Sequence, residues 1–272
     1  MKFDLHSHTN VSDGKLTPAE LLARACDKGV THLAITDHDS VGAYHALQCP
    51  AGLSIISGIE LSSFWRKRGV HVVGLNIEID HPGLLKGIRQ QQLARQARAR
   101  KIADRLVKAG LPDVYEAVVK TADAGHIGRP HFAAHLVAAG HVPDMPTAFR
   151  KYLGDGKAGD VRDLWPPLDE IIGWIRAAGG TAVLAHPAQY KLTRSKLCEL
   201  LEDFRAAGGT AMEVISGRQE ANVTSKLAGL AQDFDLLASS GSDFHGPDKP
   251  WADLGCCPPL PPECTPVWET WQ

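Results

Sequence analysis

The sequence predicts an α/β fold: a barrel of alternating strands and helices that carries an inserted helical subdomain. Three observations predict it. Short β-rich apolar runs alternate with helical stretches over the first eighty residues and again from about residue 153. The seventy residues between those blocks hold helix signals and no strand candidate. The barrel-like runs also end, one after another, in histidine or a carboxylate.

The first strand, 2–5, leads into Asp4-Leu5-His6-Ser7-His8-Thr9, where period-two alternation puts His6 and His8 on one face and Leu5 and Ser7 on the other. Val11-Ser12-Asp13-Gly14 then reads as a turn. Thr17-Pro18-Ala19-Glu20 has the form of a capping box with proline at the first helical position, so a helix runs to Lys28 and stops at Gly29. A strand over 31–36 ends at Asp37-His38-Asp39. A brief helix at 41–47 precedes a strand over 53–59, which exits at Glu60. The strand 70–77 carries His71, Val73 and Leu75 on one face.

From Pro82 the pattern turns helical, with segments at 83–109, 113–121, 130–139 and 143–151. A βα barrel has no need of so long a helical stretch between two strands. Residues 82–152 are therefore read as an inserted substrate-binding subdomain, and 1–81 with 153–272 as the barrel. The rhythm resumes with a helix over 168–178, a strand over 181–185 exiting at His186-Pro187, and a helix over 193–207. A strand over 211–215, a helix over 222–233 and a strand over 236–239 follow, leading into Gly241-Ser242-Asp243-Phe244-His245. Seven strand candidates result, followed by a tail rich in proline and tryptophan.

Bulk properties bound the function. A composition that is 44% hydrophobic and 22% charged can fill a large core, and disorder is not expected. A net charge of −2 carries no global signal for nucleic acid or an anionic membrane, so neither DNA nor a membrane is expected as a partner. The N-terminus lacks a charged-then-apolar leader and no apolar run is long enough to span a bilayer, which points to a cytoplasmic protein. Six scattered cysteines without a C-x-x-C pair are expected as reduced thiols; Cys256, Cys257 and Cys264 lack the spacing of a structural zinc site.

The strand exits collect His6, His8, Asp13, His38, Glu60, His186, Asp243 and His245, joined by His71 from the fourth strand. These nine nitrogen and oxygen donors suit Mn2+, Zn2+ or Fe2+. They are too many for one ion, so two or three divalent ions are expected, Mn2+ first among them. Taken singly, His71 also fits a satisfied core histidine, and Asp13 a residue serving its own turn. Their shared position favours a site.

The motifs Asp4-Leu5-His6-Ser7-His8-Thr9, Ile35-Thr36-Asp37-His38-Asp39, Gly58-Ile59-Glu60, Ala185-His186-Pro187 and Gly241-Ser242-Asp243-Phe244-His245 resemble, in order, those of the PHP (polymerase and histidinol phosphatase) family of metallophosphoesterases. The resemblance implies a distorted (β/α)7 barrel. It also implies one ion on His6, His8, Glu60 and Asp243, a second on Asp13, His38 and His186, and a third on Glu60, His71 and His245. Asp13 stands where some relatives carry histidine.

His126-Ile127-Gly128-Arg129-Pro130-His131-Phe132-Ala133 and Phe149-Arg150-Lys151-Tyr152-Leu153 resemble the subgroup of nucleoside 3′,5′-bisphosphate phosphatases and short-RNA 5′→3′ exoribonucleases. The expected reaction is removal of the 3′-phosphate of a nucleotide such as 3′-phosphoadenosine 5′-phosphate by a metal-bound hydroxide. Trimming of short 5′-phosphorylated RNA, or another phosphatase activity of the histidinol phosphate type, is the alternative. Arg129 and His131 flank a proline at a helix start, a place suited to phosphate, so both are expected to act in catalysis and binding, with His131 the candidate leaving-group acid. Arg150 and Lys151 are weaker candidates for substrate binding. The eight basic residues from Lys86 to Lys108 read first as a solvated helix face, and alternatively as a guide for short RNA.

Overall fold

The computed structural model describes residues 1–66, 68–121, 127–162 and 164–271. Seven strands, β1 (Phe3–Asp4), β2 (His32–Ile35), β3 (Ser54–Trp65), β4 (Arg68–Leu75), β5 (Thr181–Leu184), β6 (Ala211–Ser216) and β7 (Leu237–Gly241), form one sheet in sequence order. Parallel pairing joins β1 to β2 and β2 to β3, and again β5 to β6 and β6 to β7. The sheet curls until its outer strands meet. Leu5 N–H donates to Ser240 O at 3.0 Å, and Asp243 N–H donates to His6 O at 2.9 Å. The result is the distorted seven-stranded barrel that the motifs imply.

The distortion has a local cause. The third strand passes Glu60 without a breaker and runs on to Trp65, where Arg66 at φ 53° turns the chain back. β4 therefore lies antiparallel to both β3 and β5, with His71 opposite Ser62. This departs from the parallel rhythm of the sequence. It carries His71 into the middle of a strand, level with the mouth, instead of at a strand exit.

Eight α-helices are described: α1 (Pro18–Asp27), α2 (Pro82–Lys108), α3 (Tyr115–Thr121), α4 (Arg129–Ala138), α5 (Met145–Ala148), α6 (Leu168–Ala177), α7 (Arg194–Ala206) and α8 (Ala221–Asp233). The capping box forms at α1, with Thr17 N–H donating to Glu20 Oε2 at 2.8 Å and Glu20 N–H to Thr17 Oγ1 at 3.3 Å. Residues 42–46 make only a 3-10 turn. The helix expected over 143–151 is split. Asp144 caps a single α-helical turn, and Phe149–Leu153 follows as a π-helical turn closed by Gly154 N–H on Phe149 O at 2.7 Å.

The 27-residue α2 belongs to two cores. Its first turns place Leu84 and Ile88 among the barrel-wall side chains with Ile171, Ile172 and Ile175 of α6. Further along, Ile102 and Leu106 pack with Phe132 and Leu136 of α4, Leu153 and Val161 in a separate apolar cluster. Among the described residues no helix is long and apolar enough to cross a membrane, and all six cysteines are free thiols.

Gly241 makes the closure of the barrel possible. A Cβ there would stand 2.3 Å from His6 Cβ and 2.6 Å from its backbone nitrogen. Backbone cannot step aside as a flexible side chain does. Gly241→Ala is expected to lose roughly 1–3 kcal/mol by overpacking, read as a fall of several degrees in Tm. A Tm unchanged from wild type would show that the β1–β7 seam is looser than this geometry.

Candidate metal centre

The nine donors named from the sequence converge at the barrel mouth. His6 and His8, both fully buried, bring their Nε2 atoms within 3.1 Å of one another. Glu60 Oε2 lies 3.2 and 3.3 Å from these nitrogens, and Asp243 Oδ1 lies 3.5 Å from each. Two donors about 2.1 Å from a common divalent ion stand about 3.0 Å apart at a right angle and about 3.4 Å apart at the tetrahedral angle. The first expected set is thus spaced as ligands of one ion would be.

The other two sets keep their members but exchange two histidines. Asp13 faces His245 Nε2 at 3.3 Å, His38 Nε2 at 3.8 Å and His8 Nδ1 at 3.9 Å. His186 instead lies against Glu60 Oε1 at 3.0 Å, beside His71 Nδ1 at 2.8 Å from the same oxygen. His245 therefore groups with Asp13, and His186 with Glu60 and His71. The reversal at β4 explains the exchange, because it turns His71 toward the β5 exit. Glu60 stands at the centre. Its Oε1 serves His71 and His186, and its Oε2 serves His6, His8 and His38, the last at 3.0 Å.

The donor set fits divalent ions on a further count. Among the described residues, buried His8 Nδ1, Asp13 Oδ1, His38 Nδ1, Glu60 Oε2 and His186 Nδ1 make no well-directed hydrogen bond, although His38 Nδ1 and Glu60 Oε2 lie 3.0 Å apart. Unsatisfied buried polar atoms are costly, and five in one cluster call for a shared cation. Charge agrees. Burial favours neutral carboxyls, yet the surrounding imidazoles hold Asp13, Glu60 and Asp243 well below the usual carboxylate range. Burial, with help from His38 and His186, holds His71 down at about 4, so its lone pair is free at neutral pH.

Local backbone aims these groups. His186 and Asp243 adopt the left-handed region at φ 29° and 54°, uncommon for residues with a side chain and typical of strained functional positions. Asp37 accepts from Thr9 N–H at 2.7 Å, Thr9 Oγ1 at 2.6 Å and Ser12 Oγ at 2.6 Å, ordering the turn that presents Asp13. Gln189 Nε2 donates to Asp243 Oδ2 at 3.1 Å, which leaves Oδ1 for His6 and His8.

A cavity of about 390 Å3 opens above the donors. Its floor holds Asp13, His38, Glu60, His71, His186, Asp243 and His245; its wall holds Arg68, Arg95, Arg98, Arg129 and Arg162. Arg129 thus faces the donors as expected. It donates to Leu153 O at 3.1 Å and lies 3.9 and 4.0 Å from Asp155 and Asp160. His131, Arg150 and Lys151 do not line the cavity. His131 Nδ1 accepts Gly128 N–H at 3.1 Å and so caps α4. The π-helical turn points Phe149 into the cavity and leaves Arg150 and Lys151 exposed on its outer side. His126 lies outside the described residues.

The basic run on α2 is not a uniform solvated face. Arg95 and Arg98 turn inward, Arg100 pairs with Asp104 and Asp113 at 2.7 Å, and Arg105 donates to Asp160 O at 2.9 Å. Arg95 is held by Asp39, with Nε 2.6 Å from Oδ2. Arg98 donates from Nε to Val161 O at 2.7 Å and forms no ion pair among the described residues. Burial, then the charges of Arg129 and Arg95, lower its pKa to about 9. The indole of Trp165 backs both guanidiniums, at 5.3 and 5.2 Å.

The PHP domain model matches residues 4–122. A 5′-3′ exoribonuclease Rnm of Salmonella typhimurium is 43% identical over 99% of this chain and 94% of its own length. The chain belongs to the PHP domain family. A 3′,5′-nucleoside bisphosphate phosphatase of Chromobacterium violaceum is 42% identical over 97% of this chain and 94% of its length. The structure of an amidohydrolase from Chromobacterium violaceum with bound sulfate superposes with a TM-score of 0.91 at 41% identity, covering 99% of this chain and 95% of that one.

Sequence reasoning about this PHP chain missed Arg95, Arg98 and Glu213. A helical-period reading finds the arginines, because Leu84, Ile88, Gln91, Arg95, Arg98, Ile102 and Leu106 form one stripe, all of it buried. The stripe turns polar where it crosses the cavity. Glu213 was legible as a lone carboxylate inside the apolar strand Ala211-Met212-Glu213-Val214-Ile215.

Proposed function

We propose that this PHP-domain protein hydrolyses the 3′-phosphate of nucleoside 3′,5′-bisphosphates, with two or three divalent ions, Mn2+ foremost, held by His6, His8, Asp13, His38, Glu60, His71, His186, Asp243 and His245. The observation that carries the reading is one cavity with metal donors on its floor and, on its wall, the Arg98 guanidinium, which forms no ion pair among the described residues. Bound there, the ions would supply water activated for attack at neutral pH and would offset charge on the phosphoryl oxygens.

The chain's own residues do the rest. Arg98 and Arg129 present forked donors to the second phosphate, which sets the distance of the scissile group from the floor. Asp39 keeps the Arg95 guanidinium beside them without leaving the cavity. The helical segment 82–152, read as a substrate-binding subdomain, contributes this wall through α2 and the start of α4. The relatives' names support a nucleotide substrate, and the sulfate in the neighbouring structure resembles phosphate in shape and charge. The exoribonuclease names favour a second reading for the same centre, stepwise trimming of short 5′-phosphorylated RNA, in which the wall grips the terminal phosphate.

Phosphate release from nucleoside 3′,5′-bisphosphates and mononucleotide release from 5′-phosphorylated oligomers decide between the two. Chelation is expected to abolish both, and single-ion add-back to restore them, Mn2+ best. Full activity after complete metal removal would overturn the proposal.

A further inference from the structure

One carboxylate at the mouth faces the donors from behind and not from the cavity. Glu213, 1% exposed, lies on β6 directly before the register shift between Glu213 and Ile215. Its Oε1 is 2.5 Å from His6 Nδ1, and its Oε2 accepts the backbone N–H of His186 at 2.6 Å. It does not line the cavity, and its two oxygens are taken by His6 Nδ1 and the His186 N–H, so it stands behind the donors and apart from any substrate.

We propose that Glu213 is a positioning residue that fixes the tautomer of His6 and the backbone of His186 at once, tying together two of the donor sets. The proposal rests on the reading of the mouth as a metal centre. An imidazole that donates Nδ1–H to a carboxylate keeps its lone pair on Nε2. In His6 that lone pair is aimed at the point shared by His8 Nε2, Glu60 Oε2 and Asp243 Oδ1. The second oxygen meets a different need. His186 sits at φ 29° and ψ 57°, a conformation that persists only where its surroundings over-determine it. The N–H bond to Glu213 is one such constraint, and it directs the ring that lies 3.0 Å from Glu60 Oε1. Residues 6, 186 and 213, on three different strands or their exits, are thereby locked to one buried anion.

Glu213→Gln tests this. The amide keeps an acceptor for His186 N–H but turns an N–H2 toward His6 Nδ1, which drives the ring proton to Nε2, where an ion should bind. Calorimetric titration of wild type and variant with Mn2+ is expected to show one ion bound about 10–100-fold more weakly in the variant, with Tm near that of wild type. Glu213→Asp, which keeps the charge, is expected to recover part of the loss. Equal affinity at every site in Glu213→Gln would overturn the positioning role while leaving the metal centre standing. A wild type that takes up no ion would instead remove the centre and this role with it. Should the variant fail to fold, 15N spectra of the Zn2+-loaded wild type decide: His6 must carry its proton on Nδ1, and a proton on Nε2 would overturn the assignment.

Discussion

Glu60→Gln is expected to empty the centre and to cut phosphate-ester hydrolysis by at least about 10³-fold, since a bound ion contributes several kcal/mol to the transition state and each decade of rate is about 1.4 kcal/mol. The magnitude follows from position. Among the described residues no other side chain reaches five imidazoles: His71 and His186 through one oxygen, His6, His8 and His38 through the other. Replacing an oxygen by an amide N–H2 aims donor hydrogens at two or three of those nitrogens. It also removes an anion that the centre holds ionised against burial, with His38 and His6 supplying the opposing charge. Metal content by mass spectrometry, alongside kcat, checks both halves. A variant that keeps its full complement of ions would show that Glu60 is a bystander to the cluster.

Arg98→Met is expected to move activity and stability in opposite directions. A buried, charge-assisted hydrogen bond to phosphate is worth about 1.5–3 kcal/mol, so kcat/KM should fall roughly 10–100-fold, mainly through KM, with metal content unchanged. The folded protein should lose nothing and should even gain. In the free enzyme Arg98 is a buried cation whose pKa has fallen to about 9 under burial and the charges of Arg129 and Arg95. An apolar chain of similar length relieves that desolvation cost. A Tm at or above wild type with a raised KM is the expected pair of results. A fall in Tm with KM unchanged would make Arg98 a structural prop held by Val161 O and Trp165.

The metal donors were legible because strands report their faces plainly. His6 and His8 are two residues apart, and period two requires them to project together. Asp243 and His245 were legible instead from their place at the exit of the last strand, on either side of Phe244, which turns away into the core with no exposure. Which histidine joins which carboxylate was not legible. That depends on the reversal of β4, and Leu61 to Trp65 continues β3 without the glycine or proline that would have announced a turn. The basic wall of the cavity was only partly legible. Arg129 stood beside a proline at a helix start, whereas Arg95 and Arg98 were hidden in a run of basic residues whose neighbours Lys86 and Arg89 do face outward. Their inward direction follows from the phase of α2, set by Leu84 and Ile88 at one end and Ile102 and Leu106 at the other. His131 stands back from the cavity for a local reason: a ring three residues into a helix can bend back to the first N–H, and Nδ1 does so at Gly128.

The two-core embedding of α2 makes it a beam held at both ends. A rod of 27 residues, about 40 Å long, is clamped in the barrel wall at one end and in the helical cluster at the other, with Arg95 and Arg98 at the span between the clamps. Arg98 and Arg105 on the same rod also hold Val161 O and Asp160 O, so the edge of the cavity formed by Asp155, Asp160 and Arg162 is tied to it. Any bowing of the rod would be felt first by the two guanidiniums, which couples their placement in the cavity to how firmly the helical cluster is held.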